Sequence, residues 1–172
     1  MALLRSVRGI SPTIDESCWL AESASLIGDV HIAEQCSIWY QTVLRGDVCK
    51  IVIGKRCNIQ DGVIIHGTLD ESSTTLADDV SIGHGAILHG CYIDHHSLIG
   101  MRAIVLDHVH IEPFVMVAAG ALVPSGKRLE SGWIYAGLPA KKWKKITPEQ
   151  KEKYLIDTPK RYVEYSKWYQ VK

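Results

Sequence analysis

Three of the chain's eight histidines, His66, His84 and His89, sit in short apolar segments: Ile64-Ile65-His66-Gly67, Ile82-Gly83-His84-Gly85 and Leu88-His89-Gly90. Imidazole is the commonest metal-binding side chain near neutral pH. Three imidazoles around a divalent ion, with the fourth position open, make a catalytic zinc site. An ion held by neutral ligands keeps its full charge and lowers the pKa of a bound water to roughly 7. His31, His95, His96, His108 and His110 lack comparable settings, and solvated surface or subunit contacts explain them as well as metal does. The five cysteines, Cys18, Cys36, Cys49, Cys57 and Cys91, are odd in number and contain no C-x-x-C pair. They read as free, mostly buried thiols rather than ligands.

The elements that position these histidines are visible as a repeat. From Leu20 to Val123 an aliphatic residue recurs at every sixth position, in runs such as Leu26, Ile32, Ile38, Leu44 and Ile93, Ile99, Val105, Ile111, Val117. Small or β-branched residues follow four places later, among them Ala24, Val30, Cys36, Val63, Ala86 and Ala103. Neither a helical period nor simple alternation accounts for this. A hexapeptide repeat marks a parallel β-helix. Each hexapeptide makes one short strand and one corner, and three close a triangular coil of about 18 residues. The regular version of this architecture is left-handed, an exception to the usual crossover rule; the handedness here rests on fold analogy. Gly54, Gly83 and Gly100 directly follow an inward aliphatic residue, where glycine is expected to permit unusual backbone angles.

The period is interrupted around Val48-Cys49-Lys50, across Thr68 to Thr75, and between Leu88 and Tyr92. Insertions of this kind map to loops that shape a binding face. The repeat is expected to end after Val123. Thr147-Pro148-Glu149-Gln150 then reads as a helix start, with Thr as N-cap, Pro at the first helical position and Gln three residues on. The expected organisation is a β-helix domain over 1–146 and a helical segment over 147–172. The aromatic residues of that segment pack it along the prism, and Pro159 breaks or kinks it.

Counting faces places the histidines. Ile65 begins one face, Leu76 the next, Ile82 the third, and Leu88 returns to the first. His66 and His89 therefore share a face one coil apart, about 5 Å between backbones. His84 falls on the preceding face near a corner. A threefold assembly would let His66 and His89 of one subunit meet His84 of its neighbour, which points to a homotrimer with an intersubunit metal site.

With 172 residues and a hydrophobic fraction of 47%, the chain has enough material for one globular domain. Nineteen basic residues balance nineteen acidic ones, so net charge gives no reason to expect nucleic acid or an anionic membrane as partner. No signal peptide or membrane-spanning run is evident, and a cytoplasmic protein is expected.

Several motifs add a resemblance. Leu44-Arg45-Gly46-Asp47, Asn58-Ile59-Gln60-Asp61-Gly62 followed by His66, Ile82 to Cys91, Leu98-Ile99-Gly100-Met101 and Ala136-Gly137-Leu138-Pro139-Ala140-Lys141 resemble, in order and over nearly the whole chain, the gamma-class carbonic anhydrase family. That resemblance implies a mainly β, left-handed parallel β-helix with a C-terminal α-helix. It also implies a homotrimer with three interface sites acting on CO2 and bicarbonate. It implies zinc, with Fe2+ or Co2+ as alternatives, on His66, His84 and His89. Gln60 matches the side chain that positions metal-bound water or substrate. Arg45 and Asp47 match an interface pair, and Asp61 an interfacial carboxylate expected to meet Arg45 of the adjoining chain.

The most active form of the family carries glutamates in an acidic loop that exports protons, and here Val48-Cys49-Lys50 follows Asp47 without a Glu. Slow hydration is therefore expected, with Tyr135, His95 and His96 as weak substitute proton carriers. Two other functions fit the same residues. One is acyl-thioester hydrolysis or acyl transfer on the same fold. The other is a non-catalytic binding protein stapled by its metal.

Overall fold

The computed structural model describes residues 1–170. Val171 and Lys172, the end of the expected helical segment, lie outside the described residues. The chain winds into a parallel β-solenoid of about seven turns followed by a C-terminal helix. Each coil contributes a short strand to each of three faces. The first face stacks parts of Ser25–Ile32 and Val43–Ile53 with Ile64–His66, Ile87–His89, Ile104–Val105 and Leu122–Val123, all parallel. Val43–Ile53 turns a corner, and its second half pairs on the second face with Thr74–Leu76. The third face runs from Trp19–Leu20 to Trp133–Ala136.

The six-residue aliphatic column is the core. Leu26, Leu44, Ile65 and Leu88 on the first face and Ile38, Ile59, Ile82 and Ile99 on the third are completely buried. The small residues of the repeat, including Ala24, Val63, Ala86 and Ala103, are equally buried, because the corners of so narrow a prism leave little room. Burying one such aliphatic side chain stabilises by about 1.5–3 kcal/mol, so the repeat pays for its own backbone ordering coil by coil.

The glycines after the aliphatic residue act differently from the expectation. Gly83 does not have a left-handed backbone. It is required because a Cβ there would stand 2.7 Å from the Met101 backbone nitrogen of the next coil. Left-handed φ falls instead at the corners, at Gly85 (φ +67) and also at non-glycine residues such as Arg56, Asp79 and His96.

The solenoid also continues past Val123. Leu129 pairs in register with Ile111 on Arg128–Leu129, and Tyr135 with Val117, adding inward residues that are 3% and 5% exposed. The period had not ended. Its last two members are spaced six apart but separated by turn glycines, and the second is aromatic. Beyond them Lys141–Lys145 folds back antiparallel on Trp133–Ala136.

The helix begins where the capping signals place it. Thr147 Oγ1 accepts from the Gln150 amide, and Gln150 Oε1 accepts from the Thr147 amide, both at 3.1 Å. Pro159 does not break it. A widened π-helical stretch, Lys151–Ile156, precedes the α-helix Asp157–Lys167, and the Thr158 hydroxyl donates to the Lys153 carbonyl at 3.2 Å. The wider turn accommodates a proline ring that would clash in a regular helix. The helix packs by its aromatic side, with Tyr162 5.5 Å from Trp39 and Trp39 4.8 Å from Trp19 between ring centroids.

Candidate metal centre

Arg45, His66 and His89 follow the inward residues Leu44, Ile65 and Leu88 in successive coils of the first face, and His66 and His89 are register partners. Their rings meet edge to face with centroids 5.3 Å apart, and His66 Nδ1 lies 3.3 Å from His89 Nε2. Each ring is held by its other nitrogen. His66 Nε2 donates to Asp47 Oδ1 at 3.1 Å. His89 Nδ1 donates to the Asp107 carboxylate, 3.0 Å from Oδ1 and 2.9 Å from Oδ2. An ionised carboxylate only accepts, so these ring nitrogens carry the protons.

The lone pairs are therefore on His66 Nδ1 and His89 Nε2, facing one another. Arg45, which can only donate, brings its Nη2 to 3.4 Å from the same His66 Nδ1. Two opposed acceptors do not bond to each other, but they suit a shared cation. Nitrogens each 2.0–2.1 Å from a tetrahedral zinc ion lie about 3.3 Å apart. Tautomer and spacing both fit a divalent ion.

The supporting carboxylates are strongly engaged. Partial burial pushes the Asp47 carboxyl up, but hydrogen bonds from Arg45 and His66 outweigh it and hold it below the usual range. Arg45 Nη1 donates to Asp47 Oδ2 at 2.6 Å. Asp107 shows the same balance: burial raises it, and donors from Ser72, His89 and Thr68 bring the net shift below the ordinary value.

His84 lies apart from this pair. It sits near a corner of the third face, and its Nδ1 donates to Asp61 Oδ2 at 2.7 Å, which leaves Nε2 as its free acceptor. Within one chain, Asp61 pairs with His84 and Arg45 with Asp47. His84 and Asp61 line a cleft of about 210 Å³ walled by Trp39, Tyr162, Tyr165 and Trp168. Burial, with the Asp61 charge nearby, pushes the Tyr162 hydroxyl up to about 12. Gln60 is buried on the same face, its amide Nε2 donating to Asn58 Oδ1 at 3.0 Å. Neither Gln60 nor His84 hydrogen-bonds to the His66–His89 pair. Among the described residues no three His, Cys, Asp or Glu side chains within this one chain group to hold a metal ion.

Within one chain, none of the substitute proton carriers hydrogen-bonds to the His66–His89 pair. Tyr135 points into the last coil, where its hydroxyl accepts from the Glu130 amide at 2.8 Å. His95 and His96 pack against Phe114, away from the histidine pair. Asp107 is the site residue that sequence reading missed. It lies one place beyond the position matching His89, because Leu88 pairs in register with Val105.

No protein-family profile matches the chain. It is 42% identical over 155 residues to Protein YrdA of Escherichia coli K12, covering 87% of this chain and 84% of that one. It is 41% identical over 165 residues to gamma carbonic anhydrase 2, mitochondrial, of Arabidopsis thaliana, covering 93% of this chain and 59% of that one. The chain belongs to the gamma carbonic anhydrase family. It spans less than two thirds of the length of the Arabidopsis gamma carbonic anhydrases 1 and 2. The fold of this gamma carbonic anhydrase family member superposes with a TM-score of 0.93 on a hexapeptide transferase family protein from Anaplasma phagocytophilum. That protein is 40% identical, with 97% of this chain and 98% of that one covered. Among the described residues no helix is long and apolar enough to cross a membrane.

Proposed function

We propose that this chain is a metal-dependent, carbonic anhydrase-like enzyme for the reversible hydration of CO2. In this reading zinc, or alternatively Fe2+ or Co2+, is held by His66 and His89 of one subunit and His84 of the next in a homotrimer. The observation that carries it is the opposed pair of lone pairs on His66 Nδ1 and His89 Nε2, each fixed by a carboxylate on the far nitrogen.

Support for the assembly comes from the same face. The outward neighbours of the core column, Val43, Ile64, Ile87, Ile104 and Leu122, form an unbroken aliphatic stripe beside the histidines. The corresponding stripe on the second face reads Val52, Thr75, Tyr92, His110 and Arg128. Ile64 is exposed and the other four are half-buried. A contiguous apolar row that reaches the surface marks a contact surface, and a second copy of the chain would bring a His84 to it.

When bound, the ion supplies Lewis acidity that makes a water nucleophilic towards CO2 near neutral pH. The chain's own residues do the rest. Asp47, Asp61 and Asp107 each fix one histidine tautomer and its aim. Arg45 anchors Asp47 by a charge-assisted bond. Gln60 would arrive with His84 from the neighbouring subunit, its amide able to orient a reacting oxygen without taking its proton. With no Glu in the segment after Asp47, slow turnover is expected.

The test is CO2 hydration by stopped-flow on zinc-loaded protein, with metal content and molecular mass measured in parallel. The expected result is a zinc-containing trimer with a zinc-dependent rate. His66→Ala, His84→Ala and His89→Ala should each lose metal by more than the roughly 10–100-fold typical of losing an outer partner. A rate no greater than buffer in the metal-loaded trimer would sink the reading.

Acyl-thioester chemistry at the same site is a second reading. It is favoured by the aromatic cleft beside His84 and by the transferase name of the Anaplasma relative. Chelator-sensitive cleavage of an acyl-CoA, together with no CO2 hydration, would select it.

A further inference from the structure

We infer that the loop 67–73 is a clamp that sets the metal affinity of the histidine pair, and that Asp107 is the positioning residue through which it acts on His89. The inference rests on the metal reading above.

The loop leaves directly from His66, and Leu69, Asp70, Glu71 and Ser73 are exposed. Its two other hydroxyls turn inward onto one carboxylate. Ser72 Oγ donates to Asp107 Oδ1 at 2.5 Å, and Thr68 Oγ1 donates to the same oxygen at 3.1 Å. The loop is closed on itself by the Thr68 amide donating to Ser72 Oγ at 2.9 Å. Asp107 reaches His89 from the next coil, so without these donors its carboxylate could turn about its terminal bond. Held by Ser72 and Thr68, it presents both oxygens to His89 Nδ1 and keeps Nε2 aimed at His66.

The residues flanking this contact are built around it. Thr74, where the loop rejoins the second face, donates from Oγ1 to the His66 carbonyl at 2.6 Å and accepts from the Gly90 amide at 2.9 Å. One hydroxyl thereby ties the two histidine strands together. At Gly90 a Cβ would run into both Ser72 Oγ and Asp107 Oδ1, on a backbone already in the left-handed region (φ +61). The position after His89 is glycine because the clamp fills the space a side chain would take. An insertion serving only as a surface link has no need of this convergence.

Zinc affinity measured at pH 7 by competition with a chromophoric chelator tests the clamp, with the thermal midpoint of the metal-free protein measured alongside. Asp107→Asn should weaken zinc binding about 10–100-fold, the usual effect of removing a carboxylate partner from a histidine ligand. Ser72→Ala should weaken it severalfold, Thr68→Ala less, and Thr68→Ser, which keeps the hydroxyl, should restore wild-type affinity. In Co2+-loaded protein the visible absorption bands should shift in Asp107→Asn and Ser72→Ala. If wild type binds zinc and these variants bind it equally well, with only the thermal midpoint lowered, Asp107 is structural and the inference is overturned. If Asp107→Asn does not fold, Ser72→Ala in the loop decides in the same way. A wild-type trimer that binds no zinc overturns the metal reading itself, a separate result.

Discussion

His66, His84 and His89 are told apart by the carboxylate each one meets: Asp47, Asp61 and Asp107 respectively. These contacts carry a pH dependence that can be worked out for the metal-free protein. Asp47 and Asp107 are held below the ordinary carboxyl value in the fold. In the unfolded chain they titrate near 3.9. As pH falls below that value the unfolded state takes up protons that the folded state refuses, so the stabilisation present at neutral pH is lost in acid. Asp47→Asn and Asp107→Asn should therefore flatten the decline of the thermal midpoint between about pH 4 and pH 2, followed by calorimetry. The alignment of His66 with His89 was countable from the repeat, because both directly follow an inward aliphatic residue. Asp107 was not singled out. Leu106 takes the position matching His89, and the carboxylate reaches back from the corner beyond it. No local pattern marks that reach.

Between neighbouring coils, stability divides by the direction a side chain faces. Ile65→Ala removes a completely buried side chain from the column and should cost about 2–5 kcal/mol in denaturant unfolding. Gly83→Ala puts a methyl against the Met101 backbone nitrogen, which cannot give way as a flexible side chain would. About 1–3 kcal/mol of destabilisation is expected, with a shift of the coil carrying His84. The column was legible because burial at every sixth residue is a constraint on residue type alone. Its last members, Leu129 and Tyr135, were hidden by the glycines around them and by an aromatic ring where aliphatics had been the rule. The role of Gly83 was hidden for another reason: close approach and left-handed φ both select glycine, and a sequence does not distinguish them. The accommodation of Pro159 by a wider turn is likewise a choice among backbone solutions that the residues do not announce.

For the whole molecule, the aliphatic stripe on the histidine face is the feature with most at stake. Ile87→Asp leaves the core column untouched, since Ile87 points outward, but places a charge in the middle of the stripe. Sedimentation should show a mass lower than wild type, and zinc content should fall with it, because the reading needs His84 from a neighbour. A monomeric variant with full zinc content would contradict it. The stripe was present in the sequence as Ile64, Ile87, Ile104 and Leu122, yet it became visible only once register had set these residues side by side. Lys141–Lys145 raises a different matter. A stack of parallel coils has open ends, and each end is a template to which another molecule could add. Here the last strand of the third face is covered by one running the opposite way, with four lysines and Trp143 all exposed. A further parallel coil finds neither matching hydrogen-bond direction nor a neutral surface there. The same five residues that finish the fold thus protect this end against fibre growth, and a shortened chain lacking them would be prone to polymerise along the solenoid axis.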